Sequence, residues 1–151
     1  MQRSKRLLRK PISKIAFLPI KPIYANRLMA GDKLFEFRRS AISTELSHII
    51  VYACSPKQRI IGVLEVNSVE ADNPQRTWRR TKDNAGIDRL HYDEYFVGTD
   101  VAYCIEIDPG NILRFSCEFH PTEIEKDFRI PQSFKYVDQN ILDAAMKIGL
   151  R

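Results

Sequence analysis

The stretch Gly31-Asp32-Lys33-Leu34-Phe35-Glu36-Phe37-Arg38 decides how this chain is read. A helical pattern runs into it and a strand pattern runs out of it. Glycine just past a last helical turn adopts the left-handed conformation without steric cost, so Gly31 and Asp32 read as a helix stop. Side chains of a strand point to opposite faces in turn. Phe35 and Phe37 therefore share one face, and Leu34, Glu36 and Arg38 share the other. The aromatic face is assigned to the core. Glu36 and Arg38, two apart, then pair or converge on a ligand. Lys33 lies three residues before Glu36 and joins them only if it sits in the turn, before regular pleating begins. The plainer alternative is a helix stop, a solvated lysine and a surface Glu–Arg pair worth under about 1 kcal/mol.

Upstream, residues 15–20 (IAFLPI) read as a first strand, and Pro22 suits the first position of the helix that ends at Gly31. Downstream, residues 34–39 form the second strand. Residues 47–54 (SHIIVYAC) form a central strand and residues 59–69 (RIIGVLEVNSV) a long one. Gly62 within the long strand marks a bulge or a close backbone approach. Asp72-Asn73-Pro74 reads as a helix cap followed by proline, opening a helix over residues 75–84 with Trp78 on its inner face. A second helical segment covers 88–96. Strands over 101–107 and 112–119 flank a turn at Pro109-Gly110. A helical turn begins at Pro121, 131–134 is a loop, and 138–148 is a terminal helix. Strands with short helices between them give an α+β fold. The connections are too short for a doubly wound parallel sheet, and a small, mixed, partly closed barrel is expected.

At 151 residues the chain fits one domain able to bury a core without staples. Residues 1–14 carry Arg3, Lys5, Arg6, Arg9, Lys10 and Lys14 and no acid, while the remainder has 18 basic and 19 acidic residues. The net charge of +5 is thus a property of the N-terminus. Residues 1–14 read as a flexible basic arm of the kind that meets nucleic acid, or as a solubilising leader. The domain follows over 15–137, with a C-terminal helix over 138–151 packed on it. No apolar run reaches membrane-spanning length, and the basic N-terminus lacks the apolar region of a secretory signal. Cys54, Cys104 and Cys117, odd in number and widely spaced, read as reduced thiols of a cytoplasmic protein. No Cys/His spacing suggests a metal, and no glycine-rich loop suggests a nucleotide cofactor.

Lys33, Glu36 and Arg38 are the candidate site. Arginine offers a planar fork for phosphate or a base edge, lysine a point charge, and a carboxylate an acceptor for an exocyclic amine. The same groups suit proton transfer if burial brings the lysine toward neutrality, but Glu36 beside Lys33 is expected to keep it protonated. Arg76, Arg79 and Arg80 are candidate nucleic-acid contacts, with Tyr92 as the best exposed aromatic for stacking. Trp78 reads as a core anchor. Glu65 reads as a residue of a solvated strand face or of a cleft wall.

The chain resembles the ASCH domain, a branch of the PUA-like superfamily. The core of the resemblance is G-x-K-x-x-E-x-R at Gly31, Lys33, Glu36 and Arg38. Lys21-Pro22, Val51-Tyr52-x-x-Ser55-Pro56, Ile61-Gly62, Ala85-Gly86-Ile87, Tyr95-Phe96-x-Gly98 and Pro131-Gln132-Ser133-Phe134 support it, over roughly residues 15–137. The resemblance implies a PUA-like β-barrel with helices over one end and a cleft lined by the motif. It implies RNA or nucleotide binding with a role in transcription or RNA processing. It also implies an alternative, since some small members are amidohydrolases acting on N4-acetylcytidine and ribonuclease activity is attributed to others. In the amidohydrolases the motif lysine, here Lys33, is catalytic. Glu36 stands where those enzymes carry threonine, a departure that argues against that activity. Glu65 and Glu94 are the candidates for their further acidic partner. A regulatory domain sensing a small ligand in the same cleft is a third reading.

Overall fold

The computed structural model describes residues 7–151. Strands β1 (Lys14–Ile20), β2 (Phe35–Arg38), β3 (Leu46–Ala53), β4 (Arg59–Asp72), β5 (Ala102–Phe119) and β6 (Lys135–Val137) form one sheet in the order β2-β5-β4-β3-β1-β6. Only β1 and β3 run parallel; the other pairs are antiparallel. Four α-helices accompany it among the described residues: α1 (Pro22–Ala30), α2 (Pro74–Thr81), α3 (Arg89–Tyr95) and α4 (Gln139–Gly149).

The α+β class is as expected, but the sheet does not close into a barrel. Its edge strands, β2 and β6, have four and three residues and do not meet. Closure needs matched tilt and stagger along full-length strands. Here helices and loops cover the sheet instead. α1 packs on one face in a cluster with Leu18, Ile49, Val51 and Leu64, and α4 packs on the other with Phe17, Ile50 and Phe115.

Local signals set several boundaries. Gly31 ends α1 at φ +81°, and its N–H bonds back to Leu28 O. Asn73 caps α2 by accepting from the Arg76 N–H at 2.8 Å. The helix expected to run to residue 84 ends at Thr81 and tightens to a 3-10 turn over Lys82–Asn84. Gly62 is a close approach, because a Cβ there would lie 2.5 Å from Leu113 O.

The turn expected at Pro109-Gly110 is absorbed into one strand. β5 runs through it, and the four residues between Ile107 and Ile112 bulge opposite Glu65 alone. β2 pairs with β5 only over Tyr103–Glu106, so Pro109 meets no partner on that side and its missing N–H breaks no ladder there.

Arg3, Lys5 and Arg6 of the expected arm lie outside the described residues. The later part of that segment is seated on the domain. Leu8 and Ile12 pack against the α4-side core, and Asn111 Nδ2 donates to Leu7 O at 2.7 Å. The Lys10 N–H donates to Glu65 Oε2 at 2.9 Å, and the Lys10 amine donates to Val66 O. Among the described residues no helix is long and apolar enough to cross a membrane.

Candidate functional site

Lys33 sits before the first residue of β2, in the turn that follows Gly31. It therefore escapes strict alternation and joins Glu36 and Arg38 in one cleft of about 390 Å³, within the size range of small-ligand sites. Phe37 is buried, and Phe35 packs partly buried beside it with Tyr92, Phe96 and Cys104. The strand register is the expected one.

The lysine is buried to 2 % exposure, and its surroundings are built for it. Its N–H donates to Arg27 O at 3.1 Å, and the Leu34 N–H donates to Asn84 O at 2.9 Å. Arg27 Nη1 donates to Gly86 O at 2.8 Å, tying α1 to the loop that covers the lysine. Gly86, at φ +66°, lies against the lysine stem, where an added Cβ would come within 2.3 Å of Lys33 Cβ and Cγ. The amine donates to Ala85 O at 2.7 Å and lies 4.8 Å from the Phe37 ring centre and 5.4 Å from that of Tyr24. A protonated amine has three donors, so this bond leaves others for a ligand. Burial pushes the amine down from 10.5 to about 8, against the opposing pull of Glu36 and Cys104. Desolvation outweighs the neighbouring carboxylate in setting the shift, but an amine of about 8 is still mostly protonated at neutral pH.

Glu36 and Arg38 side chains are 9 % and 13 % exposed, with Arg38 Nε 3.4 Å from Glu36 Oε2. Arg38 Nη2 donates to Pro19 O at 2.9 Å. The Tyr95 hydroxyl faces the Arg38 side chain and the Arg39 backbone; burial raises it and these two groups lower it. Arg38 is thus fixed from β1 and α3 as well as from its own strand. Its fork is partly committed inside the protein.

The remaining candidates separate. Arg76, Arg79 and Arg80 lie exposed on α2, outside the cleft, with Arg76 paired to Asp72 at 3.0 Å and Arg80 to Glu70 at 3.2 Å. Tyr92, expected to be exposed, is 1 % exposed. Its ring packs on Phe37, Trp78 and Phe96, and its hydroxyl donates to Pro74 O at 2.7 Å. It forms part of the cleft wall. α3 puts it at the inward position because Leu90 and Asp93 take the outward ones. Trp78 packs against this aromatic cluster, as expected.

Glu94 lines the cleft. Glu65 does not; it is 1 % exposed, against the expectation of a solvated or cleft-wall residue, and belongs to a separate buried network. Its Oε2 lies 3.1 Å from His48 Nε2, and His48 Nδ1 lies 2.8 Å from Ser47 Oγ. Tyr24, Arg27, Gly86 and Tyr95 were not singled out from sequence as site residues. Gly86 and Tyr95 entered only through the stretches that support the family resemblance.

Cys54, Cys104 and Cys117 are all free thiols. Burial pushes Cys104 up to about 11 and raises Cys54 less. Iodoacetamide at pH 8 is expected to modify Cys104 roughly a hundredfold more slowly in the native protein than in urea, because the thiolate is the reactive form. Equal rates, read by peptide mass mapping, would contradict the burial of this thiol in the aromatic cluster of Phe37, Tyr92 and Phe96.

The motif, its spacing and its cleft bear on relationship. A family model described as the ASCH domain matches residues 18–111. The chain belongs to the ASCH-domain family. A Zymomonas mobilis protein named ASCH domain-containing ribonuclease is 27% identical over 128 residues, which are 84% of this chain and 86% of that protein. The crystal structure of ASCH from Zymomonas mobilis superposes with a TM-score of 0.82 at 24% identity, covering 89% of this chain and 95% of that one. The N-terminal domain of Staphylothermus marinus McrB gives a TM-score of 0.58 at 13% identity, covering 93% of this chain and all of that one. At these identities the two structures speak for the fold alone.

Proposed function

We propose that this ASCH-domain protein binds RNA and recognises one nucleotide in the cleft of Lys33, Glu36 and Arg38. The observation that carries the reading is the convergence of these three groups in a cleft of about 390 Å³ walled by Tyr24, Phe37 and Tyr95. Aromatic walls suit a base face. Lys33 donates, Glu36 accepts from an exocyclic amine, and Arg38 holds Glu36 in place. A role in RNA processing or in the control of transcription fits this reading.

A second reading, cleavage of the bound RNA, has two supports. One is the name of the Zymomonas relative. The other is the amine of about 8, which supplies a fraction of neutral lysine near neutral pH and so a general base. Measuring RNA affinity, RNA cleavage and N4-acetylcytidine hydrolysis for wild type, Lys33→Ala and Glu36→Ala tests both. Affinity lost by both variants, with no turnover by wild type, supports the binder. Wild-type RNA cleavage abolished in Lys33→Ala promotes the nuclease. Turnover of the acetylated nucleoside would overturn both.

A further inference from the structure

Helix α3 brings a histidine to the cleft that Lys33 enters from the turn before β2. His91 lines that cleft, and its ring is held from behind. Nδ1 lies 2.7 and 2.8 Å from the two carboxylate oxygens of Asp88, which does not itself line the cleft. The His91 backbone N–H donates to Asp88 Oδ1 at 2.8 Å. The backbone N–H and the imidazole of His91 together hold the Asp88 carboxyl below its ordinary range. An ionised carboxylate only accepts hydrogen bonds, so the proton of this contact is assigned to Nδ1. Nε2 is left over. It has no hydrogen-bond partner among the described residues.

The pair stands close to the lysine amine. That amine donates to Ala85 O at 2.7 Å. Asp88 follows three residues later, at most about 11 Å of chain away. Tyr24 links the two groups. Its ring centre lies 5.4 Å from the amine, and its hydroxyl feels the charge of Asp88. One cleft thus holds a buried amine from β2 and an anchored imidazole from α3.

We propose that His91, held by Asp88, is the general acid of an RNA cleavage in which Lys33 is the base. The inference rests on the second reading above, cleavage of the bound RNA. The neutral Lys33 amine takes the proton of a 2′-hydroxyl, and that oxygen forms a bond to the neighbouring phosphorus. The bond from phosphorus to the 5′-oxygen breaks, and this oxygen takes the proton of His91 Nε2. The products are a 2′,3′-cyclic phosphate and a 5′-hydroxyl end, and no co-reactant is consumed. Asp88 is a positioning residue: it fixes the ring and the tautomer, so that Nε2 is the nitrogen offered to the leaving group.

The test uses a short, labelled, single-stranded RNA of mixed sequence, and the same RNA with sulfur replacing the 5′-oxygen at the linkage that wild type cuts. His91→Gln is expected to lower kcat on the normal RNA by about a hundredfold or more, the range of general acid catalysis, with KM nearly unchanged. Sulfur leaves as a thiolate, which is stable near neutral pH without a proton. On the sulfur RNA, His91→Gln should therefore cut within a few-fold of wild type, while Lys33→Ala stays inactive on both. Asp88→Asn keeps a residue that caps helices well; it should lose less on the normal RNA and recover likewise on the sulfur one. Both side chains are more than half exposed, and melting curves verify folding. An equal loss by His91→Gln on the two RNAs overturns the acid role while cleavage stands. So does an unchanged kcat with a raised KM, which would make His91 a binding contact, and so do product ends other than the cyclic phosphate. Wild type that binds RNA and cuts none removes the cleavage reading, and this inference with it, and leaves the binder.

Discussion

Lys33→Met is expected to raise the unfolding free energy at pH 7 by about 2 kcal/mol and to abolish RNA binding. The gain follows from burial. Lys33 is 2 % exposed, and its amine is held down from 10.5 to about 8. Between those two values the unfolded chain binds a proton that the folded chain does not, so wild-type stability rises with pH across that window. Below about 8 both states are protonated, and the folded state carries the whole cost of the buried charge, about 3 kcal/mol. Methionine has a similar reach and no charge, and the aromatic slot of Phe37 and Tyr24 receives it. It leaves Ala85 O without its donor, which returns about 1 kcal/mol. Urea unfolding from pH 7 to 10.5 measures this. The difference between wild type and variant should shrink as pH rises, since other groups titrate alike in both. A variant less stable at pH 7, with an unchanged pH profile, would make Lys33 a structural post. A residue that costs stability and carries affinity is instead a functional one.

What could be read from the sequence was local. Gly31 stops α1, Asn73 caps α2 and the 35/37 aromatic face is inward, because each depends on neighbours within a few residues. Bringing Lys33 into the cleft depended on where pleating starts, which alternation alone left open. Its burial depended on residues 84–86, about fifty positions away, and on the bare backbone of Gly86. Opposing pulls on the amine were foreseeable, but which one won was set by that lid. Pro109-Gly110 misled for the same reason. The turn signal is local, whereas the pairing of β4 with both halves of β5 is not. Tyr92 and Glu65 were misplaced because a side chain's exposure follows from what packs over it. A helix face covers Tyr92, and the N-terminal segment covers Glu65.

That covering segment leads to the second large effect. Removing residues 1–13 is expected to cost about 3–5 kcal/mol, the range for breaking a buried charge from its partners. Glu65 is 1 % exposed, and it takes hydrogen bonds from the Lys10 N–H and from His48. Burial alone would raise its carboxyl, but the Asn111 side chain, the Lys10 N–H and His48 hold it below 4.5. Its stabilisation is present above the unfolded value and is lost as pH falls through the folded one. Burial likewise holds His48 below 6.5, although Glu65 pulls it up. The unfolded chain then binds the proton first, and stability declines as pH drops below about 6.5. Truncation should flatten that acid decline, because without the Lys10 N–H the folded Glu65 carboxyl rises toward its unfolded value and less pH-dependent stabilisation remains to be lost. Removing residues 1–6 alone keeps each of these contacts. It is therefore the truncation that reads the charge of Arg3, Lys5 and Arg6 in RNA binding, at up to about 0.7 of salt slope each. Repeating the longer truncation in Glu65→Gln separates charge from packing. A buried amide without one donor costs less than a buried carboxylate, so the penalty should fall by about half or more. An equal penalty in both backgrounds would mean that Leu8 and Ile12, through their packing against the α4-side core, hold this segment to the fold.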